Sequence, residues 1–229
     1  MAIEVIVVGA GGFGREVLDV VEAHNAAKPA QSIRVRGVVD DAPAATNLER
    51  LAMRGYRYLG PIDWAIADGT GDYILGIGRP AVKRAIAARF EAAGWRAASA
   101  IHPAAVVGTH VRIGQGVVVC GGAQVSTNVA LGRYVHINPN ATIGHDAQLR
   151  DFVSVNPGAI VSGEVIVDEG TLVGAGAVIL QGLSVGTDVV VGASACVTRD
   201  VSARSTMVGI HARPLSMGGS ASPRRTGEG

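Results

Sequence analysis

The residues of this chain best suited to chemistry are a histidine next to a carboxylate, His145-Asp146 in "ATIGHDAQL". An imidazole titrates near pH ~6.5, so its neutral form is available at cellular pH to take a proton from an amine or hydroxyl. An adjacent carboxylate can fix the ring and stabilise the imidazolium that forms. A second constellation opens the chain: in "VIVVGAGGFGRE" an apolar run ends in Gly9, Gly11, Gly12, Phe13 and Gly14 at a helix start. This is the arrangement that brings bare backbone N–H groups to a diphosphate. It recognises phosphates without requiring that they belong to a nicotinamide cofactor, and a glycine bend with no ligand is the alternative.

Two kinds of element must position these groups. Up to about residue 100, strand and helix signals alternate: strands at 4–8 and 35–39, the latter ending in Asp40-Asp41, a helix at 14–27, a short helical piece at 47–54, and strands at 56–59 and 72–77. Gly78-Arg79-Pro80 then leads into a helical "AVKRAIAARFEAAG" and a last strand at 96–101. The pattern predicts a small Rossmann-like parallel α/β domain with the glycine turn at the carboxyl end of its first strand, where such sheets bind ligands.

From Ala105 to Asp200 the text divides into 16 blocks of six, each with Val, Ile or Leu in third place. That period is the hexapeptide signature of a parallel β-helix: three blocks make a triangular coil and the third residues stack inward. Corners are expected at the Gly, Asn and Asp residues that follow the inward one. His145 falls on a corner and points outward. His136 precedes the inward Ile137, so it belongs to the outer surface and suits a subunit interface. "MVGIHARPL" reads as a terminal cap, and 216–229 has the composition of a disordered tail. The expected domains are thus 1–100 and 101–215.

Composition agrees. The 229 residues include 32 glycines and only 4% aromatics, which suits tight turns and small aliphatic layers. A net charge of +1 gives no nucleic-acid surface, and no segment is long and apolar enough for a membrane span. A cytoplasmic protein is expected. Cys120 and Cys196 read as buried free thiols. The histidines lack the close H-x₄-H pair of a zinc-binding β-helix, so no metal is expected.

The turn, the acidic "VVDD", the hexapeptides and "VGIHARPL" together resemble bacterial sugar acetyltransferases of the left-handed β-helix class. The nearest likenesses are sialic acid O-acetyltransferases and the N-acetyltransferases of nucleotide-linked 4-amino sugars, over about residues 3–215. This resemblance implies left-handed coils, a homotrimer, acetyl-CoA as co-substrate and direct transfer with His145 as base. It also implies that Asp40 contacts the base or ribose of a nucleotide sugar and that Arg79 lies near its phosphates. For coenzyme A it implies a path along small residues, Gly163, Gly174, Ala175 and Gly176, with Gly163 a candidate oxyanion donor and Arg213 a candidate phosphate partner. Phe13 and Ser154 stand where relatives often carry histidines that hold substrate or acetyl donor, which leaves the acceptor open between an amine and a hydroxyl. A nucleotide-binding scaffold without activity is the remaining alternative.

Overall fold

A computed structural model describes residues 3–214 of the chain; the expected tail at 216–229 lies outside them. Residues 3–97 hold a five-stranded parallel sheet from β1 (Ile3–Val8), β2 (Ile33–Val39), β3 (Tyr58–Gly60), β4 (Asp72–Leu75) and β5 (Arg96–Ala97) in the order β3-β2-β1-β4-β5. Four helices join them: α1 (Gly12–Ala27), α2 (Ala45–Met53), α3 (Ile62–Ala67) and α4 (Pro80–Ala92). The two-residue period of β1 explains the layering. Val5 and Val7 pack with Val17, Leu18 and Val21 of α1, while Ile6 and Val8 face Ala87 and Phe90 of α4. Because β2 and β4 flank β1 on opposite sides, the strand order reverses at β1, and a crevice opens beyond the carboxyl ends. The sequence reading missed α3, whose six residues are too few to establish a period; its first N–H is held by the distant Asp41 Oδ1 at 2.8 Å.

The remainder is a left-handed β-helix. Its two-residue strands pair in parallel at a spacing of 18 residues, as in Gln124 with Thr142 and His136 with Ser154. Three flat faces result. Face one contains the strands beginning at Val106, Gln124, Thr142, Ile160, Val178 and Cys196; face two those at Arg112, Ala130, Gln148, Ile166 and Ser184. Face three begins at Ala100–Ile101, so the expected strand at 96–101 is divided between the two domains. Third-position aliphatics from Val119 to Val197 are buried, but Val107 and Ile113 are exposed, since no coil lies beneath the first one.

The corners correct one expectation. It is the sixth residue of each block that takes the left-handed conformation, with φ between 54° and 72° from His110 to Ser194. Fourth-position glycines serve a different need: a Cβ on Gly108 would stand 2.8 Å from the Ser126 carbonyl carbon, so they allow the next coil to approach.

The first domain sits on face three and on the corner between faces two and three. Val118 and Cys120 join the α1 core, and burial pushes the Cys120 thiol up to about 12, which makes it inert. At the corner, Tyr73 Oη lies 2.6 Å from Tyr134 Oη, which donates to Glu91 at 2.6 Å, and Arg84 pairs with Glu169 and Asp188. Among the described residues no helix is long and apolar enough to cross a membrane.

Candidate active site

A cleft of about 470 Å³ opens at the carboxyl ends of β1, β2 and β4. Gly9, Gly11, Gly12, Phe13, Asp40 and Arg79 of the expected set line it, with Asp41, Gly76, Ile77, Gly78 and several aliphatics. The glycines divide by role. A Cβ on Gly9, where φ is 111°, would lie 2.7 Å from the Gly76 carbonyl oxygen, and one on Gly14 would collide with the Gly9 carbonyl. Gly14 is therefore a packing residue buried behind the turn and does not line the cleft, and Gly76 is its unforeseen counterpart; the "GIG" after β4 was the signal. Gly11 and Gly12 are open, and α1 starts at Gly12 with no side-chain cap, so its first N–H groups are unclaimed by a side chain. Arg79, exposed at the start of α4, supplies a cation.

Asp40 has backbone partners that the sequence did not announce. Its Oδ2 accepts the Ala10 N–H at 2.8 Å and its Oδ1 the Ala42 N–H at 2.9 Å, so the carboxylate is engaged by its own backbone.

His145 stands at the corner between faces one and two, exposed. Its Nδ1 donates to Asp146 Oδ2 at 2.8 Å, which leaves Nε2 as the acceptor nitrogen directed away from the pair. Asn128, one coil earlier at the position equivalent to Asp146, donates to the other carboxylate oxygen at 3.1 Å. These bonds, His145 first, hold the Asp146 carboxyl below its ordinary range. The 18-residue spacing would have identified Asn128. Gly163 lies one coil after His145, and a Cβ there would stand 2.6 Å from Nε2. Its φ is not positive, so corner geometry does not explain it; room for the imidazole does.

Gly174, Ala175 and Gly176 form the other edge of face one, at the corner shared with face three. Arg213 lies in the terminal strand Arg213–Pro214 and lines a second cleft of about 540 Å³ with Arg199, at the end of the coil. Ser154 does not join the cofactor set. It is fully buried on face three, where its Oγ accepts from Lys83 Nζ at 3.0 Å. His136, beside it, is outward on the coil as expected but lies beneath its own first domain: it is fully buried, with the Phe13 ring 4.8 Å away. The Ile77 carbonyl lies against it, yet neither ring nitrogen completes a hydrogen bond. Among the described residues no group of three or more His, Cys, Asp or Glu is placed to hold a metal.

Residues 4–90 match the PglD N-terminal domain. No curated protein sequence matches the chain significantly. Among solved structures, a histidine variant of perosamine N-acetyltransferase from Caulobacter crescentus, in complex with CoA and GDP-perosamine, superposes with a TM-score of 0.80 at 26% identity, over 93% of this chain and 97% of that one. The acetyltransferase domain of PglB from Neisseria gonorrhoeae FA1090, with acetyl coenzyme A, gives 0.79 at 28% identity over 94% and 100%. WeeI from Acinetobacter baumannii AYE gives 0.80 at 29% over 94% and 100%. Across both domains the chain has the build of the hexapeptide-repeat sugar acetyltransferases, and it is an acyltransferase.

Proposed function

We propose that the protein is an acetyl-CoA-dependent N-acetyltransferase acting on the amino group of a nucleotide-linked amino-deoxysugar. The observation that carries this reading is the pairing, in one chain, of a glycine-turn cleft with a corner histidine oriented by a carboxylate, in a fold matched over its length by an enzyme solved with both CoA and GDP-perosamine. In this reading the diphosphate lies against Gly11, Gly12 and the start of α1, with Arg79 nearby. The sugar amine loses a proton to His145 Nε2 as its nitrogen attacks the thioester carbonyl. Asp146 stabilises the imidazolium, and the Gly163 N–H donates to the oxyanion. The C–S bond then breaks and the thiolate leaves with the proton returned from His145. The arm of coenzyme A runs along face one, and Arg213 meets its phosphates.

The topology supports a site shared between chains. His145 occupies the corner opposite face three, whereas the cleft belongs to the domain seated on face three, so one chain holds its cleft and its base on different sides of the coil. A homotrimer with parallel coils brings the cleft of one chain to the base of the next. Face one, with Val106 and Ile160 exposed, offers apolar surface beside His145 for such a contact. A need for acetyl-CoA and a nucleotide sugar supports a cytoplasmic location for the enzyme.

The test is release of coenzyme A thiol with UDP-, dTDP- and GDP-linked 4-amino sugars and with free sialic acid. Turnover of one amino sugar, reduced about 10²- to 10⁴-fold in His145→Ala, is expected. Turnover of sialic acid alone moves the assignment to O-acetylation, and no turnover with any acceptor contradicts the proposal.

A further inference from the structure

Asp40 and Asp41 both set carboxylates on the wall of a cleft that, in the reading above, must accept a diphosphate; Asp41 is paired with Arg89 at 3.1 Å, whereas Asp40 is held by backbone N–H groups. At close range two like charges in a partly dry cleft repel. A residue with that cost needs a compensating role, and its hydrogen bonds supply one.

The Asp40 carboxylate bridges two loops. Oδ2 holds the Ala10 N–H at the end of β1, and Oδ1 holds the Ala42 N–H after β2. The residue is itself fixed, its N–H donating to the Gly60 carbonyl at 3.2 Å and its own carbonyl accepting from Tyr58 Oη at 2.9 Å. The next peptide of the turn is held from the other side: Arg15 Nη1 donates to the Ala10 carbonyl at 3.0 Å and to Asn47 Oδ1 at 2.6 Å. Ala10 is thus gripped at its N–H by Asp40 and at its C=O by Arg15. The Ala10 carbonyl and the Gly11 N–H belong to one planar peptide, so this grip sets the direction of the Gly11 N–H. Beyond it, the Gly11 carbonyl accepts the Arg15 N–H at 3.2 Å as α1 begins, and no side chain packs where a Cβ of Gly11 or Gly12 would stand, so the hold on Ala10 is what fixes the entry to the helix.

We infer that Asp40 is a positioning residue that acts through Ala10, holding the glycine turn in the shape that aims the N–H groups of Gly11, Gly12 and Phe13 at the diphosphate, and that it does not contact the nucleoside. The inference rests on the proposal that the cleft takes a nucleotide sugar. It reverses a simple electrostatic expectation, since removing a negative charge beside a phosphate site ordinarily strengthens anion binding.

The experiment measures binding of UDP, dTDP, GDP and inorganic pyrophosphate to the full chain as wild type, Asp40→Asn and Asp40→Glu, with circular dichroism and melting midpoint recorded for each. Asp40→Asn removes the charge and leaves one N–H facing an amide donor. Asp40→Glu keeps the charge and displaces the carboxylate, so a loss there is geometric and the pair remains informative if one variant folds poorly. The expected result is a loss on the order of tenfold to a hundredfold for pyrophosphate and for every wild-type nucleotide ligand by a similar factor in both variants. In turnover, KM for the nucleotide sugar rises while kcat and KM for acetyl-CoA stay within about twofold, a split that general destabilisation does not produce. Pyrophosphate binding that is unchanged or tighter in Asp40→Asn, with nucleotides weakened, makes Asp40 a nucleoside ligand and overturns the inference alone. Failure of the wild type to bind any of the four overturns the cleft reading and the inference with it.

Discussion

Gly163 shows how closely the chemistry depends on single atoms. The missing side chain leaves room for the imidazole of His145, whose Nε2 would lie 2.6 Å from a Cβ. Gly163→Ala therefore displaces the ring from its Asp146-held position. Steady-state kinetics should show kcat lowered by about tenfold or more, because misplacing a base by a fraction of an ångström loses its alignment; an unchanged kcat would remove Gly163 from the account. The corner position of His145 beside Asp146 was legible in the sequence because the six-residue period fixes where the corners fall. The reason for Gly163 was not. Sequence offers a positive φ as the ordinary explanation of a glycine, and here φ is ordinary and the neighbour decides. The hold of Asp40 on the glycine turn was not legible for a related reason: its partners are backbone N–H groups, which leave no trace in residue identity.

The coil was legible because each block places the same kind of side chain in the same environment. Its two glycine classes were not, since position within a block does not reveal which glycine needs φ and which needs space. They can be told apart by stability. Gly182, at φ 70° with nothing near a Cβ, should tolerate alanine at a cost of about 1–2 kcal/mol. At Gly144 a Cβ would run into the backbone of Ser162 and Gly163 in the next coil, and Gly144→Ala should lower the melting midpoint further. Equal midpoints would contradict the distinction. The inward ladder should behave like any packed core: Val155→Ala leaves a void beneath coils that cannot close on it, at about 2 kcal/mol or more.

Where the two domains meet, Lys83 and His136 are buried together, with no carboxylate among the buried polar residues described, and Lys83 is the titratable group set against the imidazole. The hexapeptide period put His136 on the outer surface of the coil, but no sequence signal named what covers it: Lys83 of α4 reaches face three at the Val153 carbonyl and the Ser154 Oγ, some 70 positions further along the chain. Burial holds both groups well below their ordinary pKa values. Between its depressed native value and the ordinary value near ~6.5, the unfolded chain takes a proton on His136 that the native chain does not, so stability rises with pH through that window and the gain is complete above it. Each such group contributes at most ~1.4 kcal/mol per pH unit. Unfolding by urea between pH 5 and 7 should show this slope, and His136→Leu should flatten it; an unaltered slope would place the titration elsewhere.

The same docking puts the first domain on the side of the coil away from the chain's own His145, and the account therefore turns on a site shared between chains. The decisive measurement mixes two inactive proteins: His145→Asn, which lacks the base, and Gly12→Asp, which sets a carboxylate in the open part of the cleft where the diphosphate is proposed to lie. After unfolding and co-refolding at equal amounts, acetyl transfer to the amino sugar should reappear, because some neighbouring pairs then combine an intact cleft with an intact base. If wild type is active and both variants are dead, yet every mixing ratio stays inactive, cleft and base act within one chain and the account is contradicted.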